Sequence, residues 1–151
     1  MGYTHYWYRA KEIDPTTFIK IQMDFERALP ALSEAGIKLG NGYGLGFPIM
    51  DGETILFNGS DEQGYEEMYF PRILTIHPNE NPNEPEYHFG CCKTHQRPYD
   101  LAVTVFLLIA KHHLQDDLMI RSDGGKCDWE AAEQFYRQVL NDGLCYSTNK
   151  K

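Results

Sequence analysis

The sequence predicts a single α+β domain with a mostly antiparallel sheet and about three helices packed on it. Two observations carry this prediction. Alternation and turn patterns place elements in the order β-α-β-β-β-β-α-β-α along the 151 residues. The central third is a run of short strands separated by turns, which is typical of an antiparallel meander. We expect this domain to span residues 1–146 and to be followed by a disordered tail at residues 147–151.

The first strand, expected at residues 3–9, holds four aromatic rings and a histidine between positions 3 and 8. Alternation divides these side chains between two faces, with Tyr3, His5 and Trp7 on one and Thr4, Tyr6 and Tyr8 on the other. Rings on both faces predict a central strand, one face on the core and the other under a second layer or a ligand.

The first helix is predicted to begin at Asp14-Pro15, with Asp14 as N-cap and Pro15 at the first helical position. Apolar residues continue at helical spacing to Leu32. Pro30 is expected to kink or end this helix, and Gly36 is a plausible stop. The middle of the chain predicts strands at residues 53–58, 66–70, 73–77 and 87–91, a glycine-rich loop at 40–46 and a connector at 79–85.

The last third predicts a helix from Pro98 to about Leu114. Residues 101–110 are apolar nearly all the way round, so this helix is expected to be buried. A short strand at residues 118–121 follows. A final helix is expected to be capped by Asp128 and to stop near Gly143. Its rings at Trp129, Phe135 and Tyr136 predict either core packing or a homodimer seam.

Composition excludes some classes of function. The net charge of −8 argues against a general nucleic-acid binder, because phosphate affinity requires lysine and arginine. The ten-residue apolar run is about half the length that a membrane span needs. Four cysteines, two of them adjacent, do not resemble a disulfide framework, and no signal peptide precedes the first strand. We expect a cytoplasmic protein with reduced thiols that binds no membrane.

Two local clusters resemble ligand sites but have simpler explanations. The glycine-rich loop at 40–46 leads into a strand rather than a helix, so a flexible turn is favoured over a phosphate site. His88, Cys91, Cys92 and His95 match no standard zinc spacing, and buried cysteines at a strand end are the simpler interpretation. No metal and no cofactor are expected.

Two strand-to-helix junctions carry the remaining polar candidates. At the first, Lys93 and Thr94 precede Tyr99 and Asp100, which either cap the helix or surround an anionic group. At the second, Ser122 and Asp123 form either an ordinary turn or a polar edge of the sheet. Ser122, His5 and Asp100 can be combined into a catalytic triad. No nucleophile-elbow pattern supports it, so the sequence disfavours it.

Three motifs together resemble a family of small uncharacterised proteins from bacteriophages and bacteria. They are Gly2-Tyr3-Thr4-His5-Tyr6-Trp7, the pair Cys92-Lys93-Thr94 with Arg97-Pro98-Tyr99-Asp100, and Ser122-Asp123-Gly124. The resemblance implies a single α+β domain and a phage or mobile-element setting, hence a host cytoplasm, but no activity. Cys91, His95 and the glycine-rich loop depart from the family pattern.

The motifs lead to one hypothesis about a site. A pocket is expected with walls of Tyr3, His5 and Trp7, and with Lys93, Thr94, Tyr99, Asp100, Ser122 and Asp123 at its rim. Rings beside a cation and a helix N-terminus suit a nucleotide-like small molecule, since base stacking contributes about 1–3 kcal/mol per base.

Three functions remain open at this point. The first is binding or sequestration of a nucleotide-like ligand in phage–host conflict. The second is a hydrolase or phosphodiesterase acting on such a ligand, with His5 as acid or base. The third is an acidic inhibitor that binds a host protein through its surface.

Overall fold

The computed structural model describes residues 2–75 and 87–140, which form the predicted α+β domain. Within these ranges three helices pack on seven antiparallel strands in two sheets. The strands are β1 (Thr4–Ala10), β2 (Leu39–Gly40), β3 (Ile49–Met50), β4 (Thr54–Gly59), β5 (Met68–Pro71), β6 (Tyr87–Lys93) and β7 (Leu118–Ser122). The helices are α1 (Pro15–Glu34), α2 (Asp100–Leu114) and α3 (Lys126–Leu140).

The first sheet has the order β6-β1-β7, so the aromatic strand is central, as predicted. His5 and Trp7 face the core and are buried. Tyr6 and Tyr8 lie on the opposite face, where both rings contact Phe89, with centroids 5.9 and 5.4 Å away. The rings on the two faces of β1 therefore have different roles. One set packs in the interior, and the other forms a half-exposed aromatic surface.

The second sheet has the order β2-β4-β3, with β5 paired to β4. The sequence predicted the two longer strands of this sheet, β4 and β5, but not that they belong to a separate sheet. It also missed the two-residue strands β2 and β3, which are too short to show an alternation pattern. The predicted strand at 73–77 is wrong over its described part, because Ile73 makes only an isolated bridge to Glu12.

Helix α1 begins as predicted and continues past Pro30. The Asp14 carboxylate accepts a hydrogen bond from the Thr17 N–H (3.1 Å), which is an N-cap. Pro30 lies on the exposed side, so the carbonyl that it leaves unpaired can bond water while the inner side stays packed. The end is a Schellman motif at Gly36 (φ 88°), in which the Ile37 N–H reaches the Leu32 carbonyl at 2.9 Å.

Helix α2 is the centre of the core, because residues 102–110 are all buried. Phe106 packs edge-on against Phe25 of α1 and Phe70 of β5, at 5.4 and 5.1 Å between centroids. Near the end of α2, the His113 Nε2 lies 2.7 Å from the Asp24 carboxylate of α1. The sequence predicted that α2 is buried on all sides. Because it is, both sheets pack against this one helix.

Two predicted helix starts are shifted. Helix α2 begins at Asp100 rather than Pro98, and Asp128, predicted as the N-cap of the last helix, lies inside the first turn of α3, which begins at Lys126. The Asp128 carboxylate reaches back to accept from the Gly125 N–H at 2.8 Å, so it still satisfies a donor at that helix start. The connector at 79–85, the stop at Gly143 and the tail at 147–151 lie outside the described residues.

Candidate functional site

His5 is the centre of a buried polar cluster where β1, β7 and α2 meet. Its Nδ1 lies 2.8 Å from the Ser122 Oγ, and its Nε2 lies 2.7 Å from the Asp100 Oδ1. Ser122 is placed by strand register, because it pairs directly with His5 across β1 and β7. Asp100 is the first residue of α2. The structure therefore brings Ser122, His5 and Asp100 into hydrogen-bond contact. The expectation from the sequence that disfavoured this arrangement is corrected.

The hydrogen bonds of Asp100 determine where the protons of His5 lie. A carboxylate only accepts, so the His5 Nε2 must carry the hydrogen that points at the Asp100 Oδ1. The same oxygen accepts from the Thr94 hydroxyl at 2.5 Å. In a neutral imidazole the Nδ1 is then an acceptor, and the Ser122 hydroxyl donates to it. Asp100 thus orients a base toward the hydroxyl of Ser122.

The Ser122 Oγ has two further neighbours. It accepts a hydrogen bond from the Gly124 N–H at 2.9 Å. The Tyr3 hydroxyl lies beside Gly124, next to Ser122, and the Tyr3 ring meets the His5 ring edge-on at 5.3 Å. Burial, followed by the charges of Asp100 and Asp128, raises the pKa of Tyr3 to about 12. Tyr3 therefore remains a protonated phenol, available as a donor beside Ser122.

Backbone hydrogen bonds from both junctions converge on the start of β1. The N–H groups of Thr94 and His95 donate to the Tyr3 carbonyl at 3.0 and 3.2 Å. Thr4 exchanges two bonds with Asp123, one from each backbone N–H, at 2.9 and 3.0 Å. Thr94 donates one of these bonds itself, and Ser122 directly precedes the bonded Asp123. The bonds therefore fix both residues relative to His5 on β1.

The turn between β6 and α2 is strained. His95 and Gln96 have φ values of 56° and 54°, in the left-handed region that side chains other than glycine seldom adopt. This tight turn reverses the chain within a few residues, so the Thr94 hydroxyl can donate to the Asp100 Oδ1. Strain of this kind is tolerated where surrounding contacts over-determine the backbone.

The structure brings together six of the nine residues predicted for the pocket. They are Tyr3, His5, Thr94, Asp100, Ser122 and Asp123. The Lys93 side chain lies beside Gly2 at the margin of the cluster. Trp7 and Tyr99 lie elsewhere: Trp7 lines a separate cavity, and the buried Tyr99 hydroxyl bonds the Glu66 carbonyl.

Two members of the cluster were not predicted as site residues. Trp129 of α3 packs edge-on against His5 with centroids 5.2 Å apart, and it is fully buried. The sequence left this ring open to core packing or a homodimer seam, and the structure places it in the core. Gly124 was quoted only as part of a turn. Its buried position beside Tyr3 depends on the fold of the turn, and no local sequence signal marks it.

The cysteines and histidines of the predicted metal-like segment do not form a site in the described part of the chain, where no group of three or more metal-ligating side chains occurs. Cys92 is buried and Cys91 is exposed, on opposite faces of β6. Burial raises the pKa of Cys92 to about 12. Neither thiol contacts the His5 cluster in any hydrogen bond that the described residues make.

Comparison with family models, curated proteins and solved structures finds no match to this chain. The resemblance to phage and bacterial proteins remains a prediction. In residues 2–75 and 87–140, no helix has the length and apolar character needed to cross a membrane.

The Gly124→Ala variant is expected to displace Tyr3 from Ser122. A Cβ at position 124 would overlap the Tyr3 hydroxyl, whereas a Cβ at the adjacent Gly125 meets nothing within 4 Å. The Gly125→Ala variant is therefore a matched control. In a difference titration of tyrosine absorbance, Gly124→Ala should return the raised pKa of Tyr3 toward 10. Equal titration curves for the two variants would show that Tyr3 does not depend on this packing.

Proposed function

We propose that this chain is a hydrolase in which Ser122 is the nucleophile and His5 is its general base. The observation that carries the proposal is the pair of bonds from the two ring nitrogens of His5, one to Ser122 and one to Asp100. A base held between a hydroxyl and a carboxylate is the arrangement that activates serine. Here the ring is used the other way round from the familiar triad, with the nucleophile on Nδ1.

The proposed reaction is acyl transfer to water. The Ser122 Oγ attacks the ester carbonyl carbon while its proton passes to the His5 Nδ1, which leaves the imidazolium paired with Asp100. The Tyr3 hydroxyl, held protonated beside Ser122, would donate to the developing oxyanion. The leaving alkoxide then takes the proton from Nδ1. Water attacks the acyl-serine by the same route and restores the Ser122 hydroxyl, so protons and bonds balance.

Access supports Ser122 and Tyr3 as the groups that meet the substrate. Both are half-buried, whereas His5 is fully buried behind them. A substrate would therefore approach from the Tyr3 and Ser122 side, and the imidazole would act without contacting bulk water. Burial of the base strengthens its bond to the carboxylate, because the local dielectric is low.

Charge around the cluster favours a neutral or cationic substrate. Asp100, Asp123 and Asp128 all act on Tyr3 and raise its pKa, whereas the Lys93 ammonium lies at the margin of the cluster, beside Gly2. A phosphodiester would meet a net negative field at Ser122. We therefore favour a carboxylic ester over the nucleotide-like phosphodiester, which was the substrate in the enzyme alternative that the sequence left open.

Binding of a nucleotide-like ligand without turnover is the second candidate. Rings and polar groups meet at the start of β1, where the His5 ring contacts the rings of both Tyr3 and Trp129. A thermal shift against mononucleotides, dinucleotides and cyclic nucleotides tests it, because a bound ligand stabilises the fold. Action in phage–host conflict, and inhibition of a host protein by the acidic surface, remain predictions from the sequence.

The hydrolase proposal is tested with a neutral and an anionic substrate that share one leaving group. Purified protein is incubated with p-nitrophenyl acetate and with bis(p-nitrophenyl) phosphate, and release of p-nitrophenol is followed. We expect turnover of the acetate and none of the phosphate diester. Turnover of the diester would contradict the substrate class, and turnover of neither would contradict the proposed reaction.

A further inference from the structure

A cavity lies between the two sheets, away from the His5 cluster. Its volume is about 540 Å³, within the range of small-molecule sites, which is roughly 300–1,000 Å³. One side is the outer edge of β6 at residues 89–91, and the other is the segment from Tyr65 to Pro71. The Glu66 N–H bonds the Lys93 carbonyl at 3.2 Å, and the cavity lies beside this link between the two sheets.

Two glycines make room at the walls of this cavity. A Cβ at Gly90 would lie 2.5 Å from the Trp7 Nε1, so only glycine allows the indole to lie across β6. A Cβ at Gly42 would lie 2.5 Å from a carboxylate oxygen of Glu67, which extends over that glycine. The backbone therefore brings an indole and a carboxylate to the same cavity.

The charges at the cavity are mainly negative. Glu66 and Glu67 are exposed, and neither forms an ion pair with a basic side chain in the described residues. Burial, and next the charge of Glu66, raise the pKa of the Cys91 thiol, which also lines the cavity. The negative charge at the cavity therefore already contributes to the raised pKa of a neighbouring group, the Cys91 thiol.

Arg9 is buried beside this cavity, but its guanidinium is not available to bind an anion. Its guanidinium donates to the backbone carbonyls of Ala10, Pro71 and Arg72, and lies over the Phe70 ring at 4.7 Å. Burial lowers the pKa of Arg9 to about 10, so it remains charged at neutral pH. Its donors are directed at the protein itself, and a free anion would have to displace those bonds.

We propose that this cavity binds a small organic ammonium ion. Trp7, Tyr65 and Tyr69 supply aromatic rings, which attract cations through their faces. The Arg97 guanidinium lies over the Tyr65 ring, with its Cζ 5.7 Å from the ring centroid, so this ring already contacts a cation. Arg97 itself does not line the cavity. The Glu66 carboxylate accepts a hydrogen bond from the Lys93 backbone N–H at 2.8 Å but pairs with no basic side chain in the described residues. Rings together with two carboxylates that lack ion-pair partners form the combination that recognises alkylammonium groups, and the site is independent of the proposed hydrolase.

The test compares choline with 3,3-dimethylbutan-1-ol, which has the same shape and no charge. The indole N–H signals of Trp7 and Trp129 are followed by nuclear magnetic resonance, and Trp7→Phe assigns them. We expect choline to shift the Trp7 signal in a saturable way and the alcohol to leave it unchanged. Equal shifts from both compounds, or no shift from choline, would overturn the proposal.

Charge substitutions locate the effect in the cavity. Glu67→Gln is expected to weaken choline binding about five-fold, since it removes one carboxylate from the wall. Glu62→Gln is the control, because Glu62 is an exposed acid that does not line the cavity. An unchanged affinity in Glu67→Gln would contradict recognition by charge. Ester turnover should be unaffected by either variant, so the two proposals fail separately.

Discussion

Ser122→Ala is expected to lower ester turnover by at least about 10³-fold, the scale of losing a serine nucleophile. The variant removes the attacking oxygen and leaves His5 bonded to Asp100. The fold should persist, because the lost hydroxyl lies at a half-buried position and its hydrogen bonds to His5 and Gly124 are worth about 1 kcal/mol each. The measurement is kcat with p-nitrophenyl acetate, alongside the midpoint of thermal unfolding.

Ser60→Ala is the matched control for this variant. Ser60 is also half-buried and follows a strand, but it belongs to the second sheet and does not contact His5. It should retain turnover close to that of the unmodified protein. If Ser122→Ala keeps its turnover as well, other groups on the protein surface cleave the ester and Ser122 is not the nucleophile.

Arg9→Met is expected to lower the free energy of unfolding by about 2–4 kcal/mol. Arg9 joins β1 to the chain after β5 through the carbonyls of Pro71 and Arg72, and methionine can satisfy neither. The Pro71 carbonyl loses its Arg9 donor, which costs about 1–3 kcal/mol. The Arg72 carbonyl keeps the Ile13 N–H at 3.0 Å and loses one bond to a charged donor. Both costs are partly offset because the charge is no longer desolvated. Methionine retains an unbranched stem over Phe70, so the cost reports the lost hydrogen bonds.

Urea denaturation measures this change, and Arg121→Leu is the control. Arg121 lies on β7 beside Tyr6 and is exposed, so its replacement should change stability by less than about 0.5 kcal/mol. A common urea midpoint for Arg9→Met and the unmodified protein would contradict the role of Arg9 in joining the two sheets. The proposed ester hydrolysis should survive in the folded fraction, since Arg9 does not contact the His5 cluster.

Local patterns predicted most of the fold because their causes are local. The N-cap at Asp14, the stop at Gly36 and the buried face of α2 depend on residues within a few positions of one another. Pro30 was the exception. The helix continues past it because Ala28 and Leu32 are buried on the inner side while the proline is exposed, and only the packed structure reveals which side that is.

The site could be predicted only as a set of residues and not as an arrangement. Ser122 and Asp100 are separated from His5 by 117 and 95 positions, so their contacts depend on sheet register and on where α2 starts. A search for a local nucleophile motif fails because β7 and its turn present Ser122 without one. Tyr99 lies outside the cluster because α2 begins one residue after it, with its ring buried.

Covalent labelling tests most directly whether His5 activates Ser122. The protein is incubated with an alkyl fluorophosphonate, which phosphonylates activated serines, and the modified residue is identified by peptide mass spectrometry. We predict one adduct on Ser122, and none in Asp100→Asn, in which an amide no longer holds the hydrogen of His5 on Nε2. An unlabelled protein, or an adduct on Tyr3 or another serine, would contradict the account.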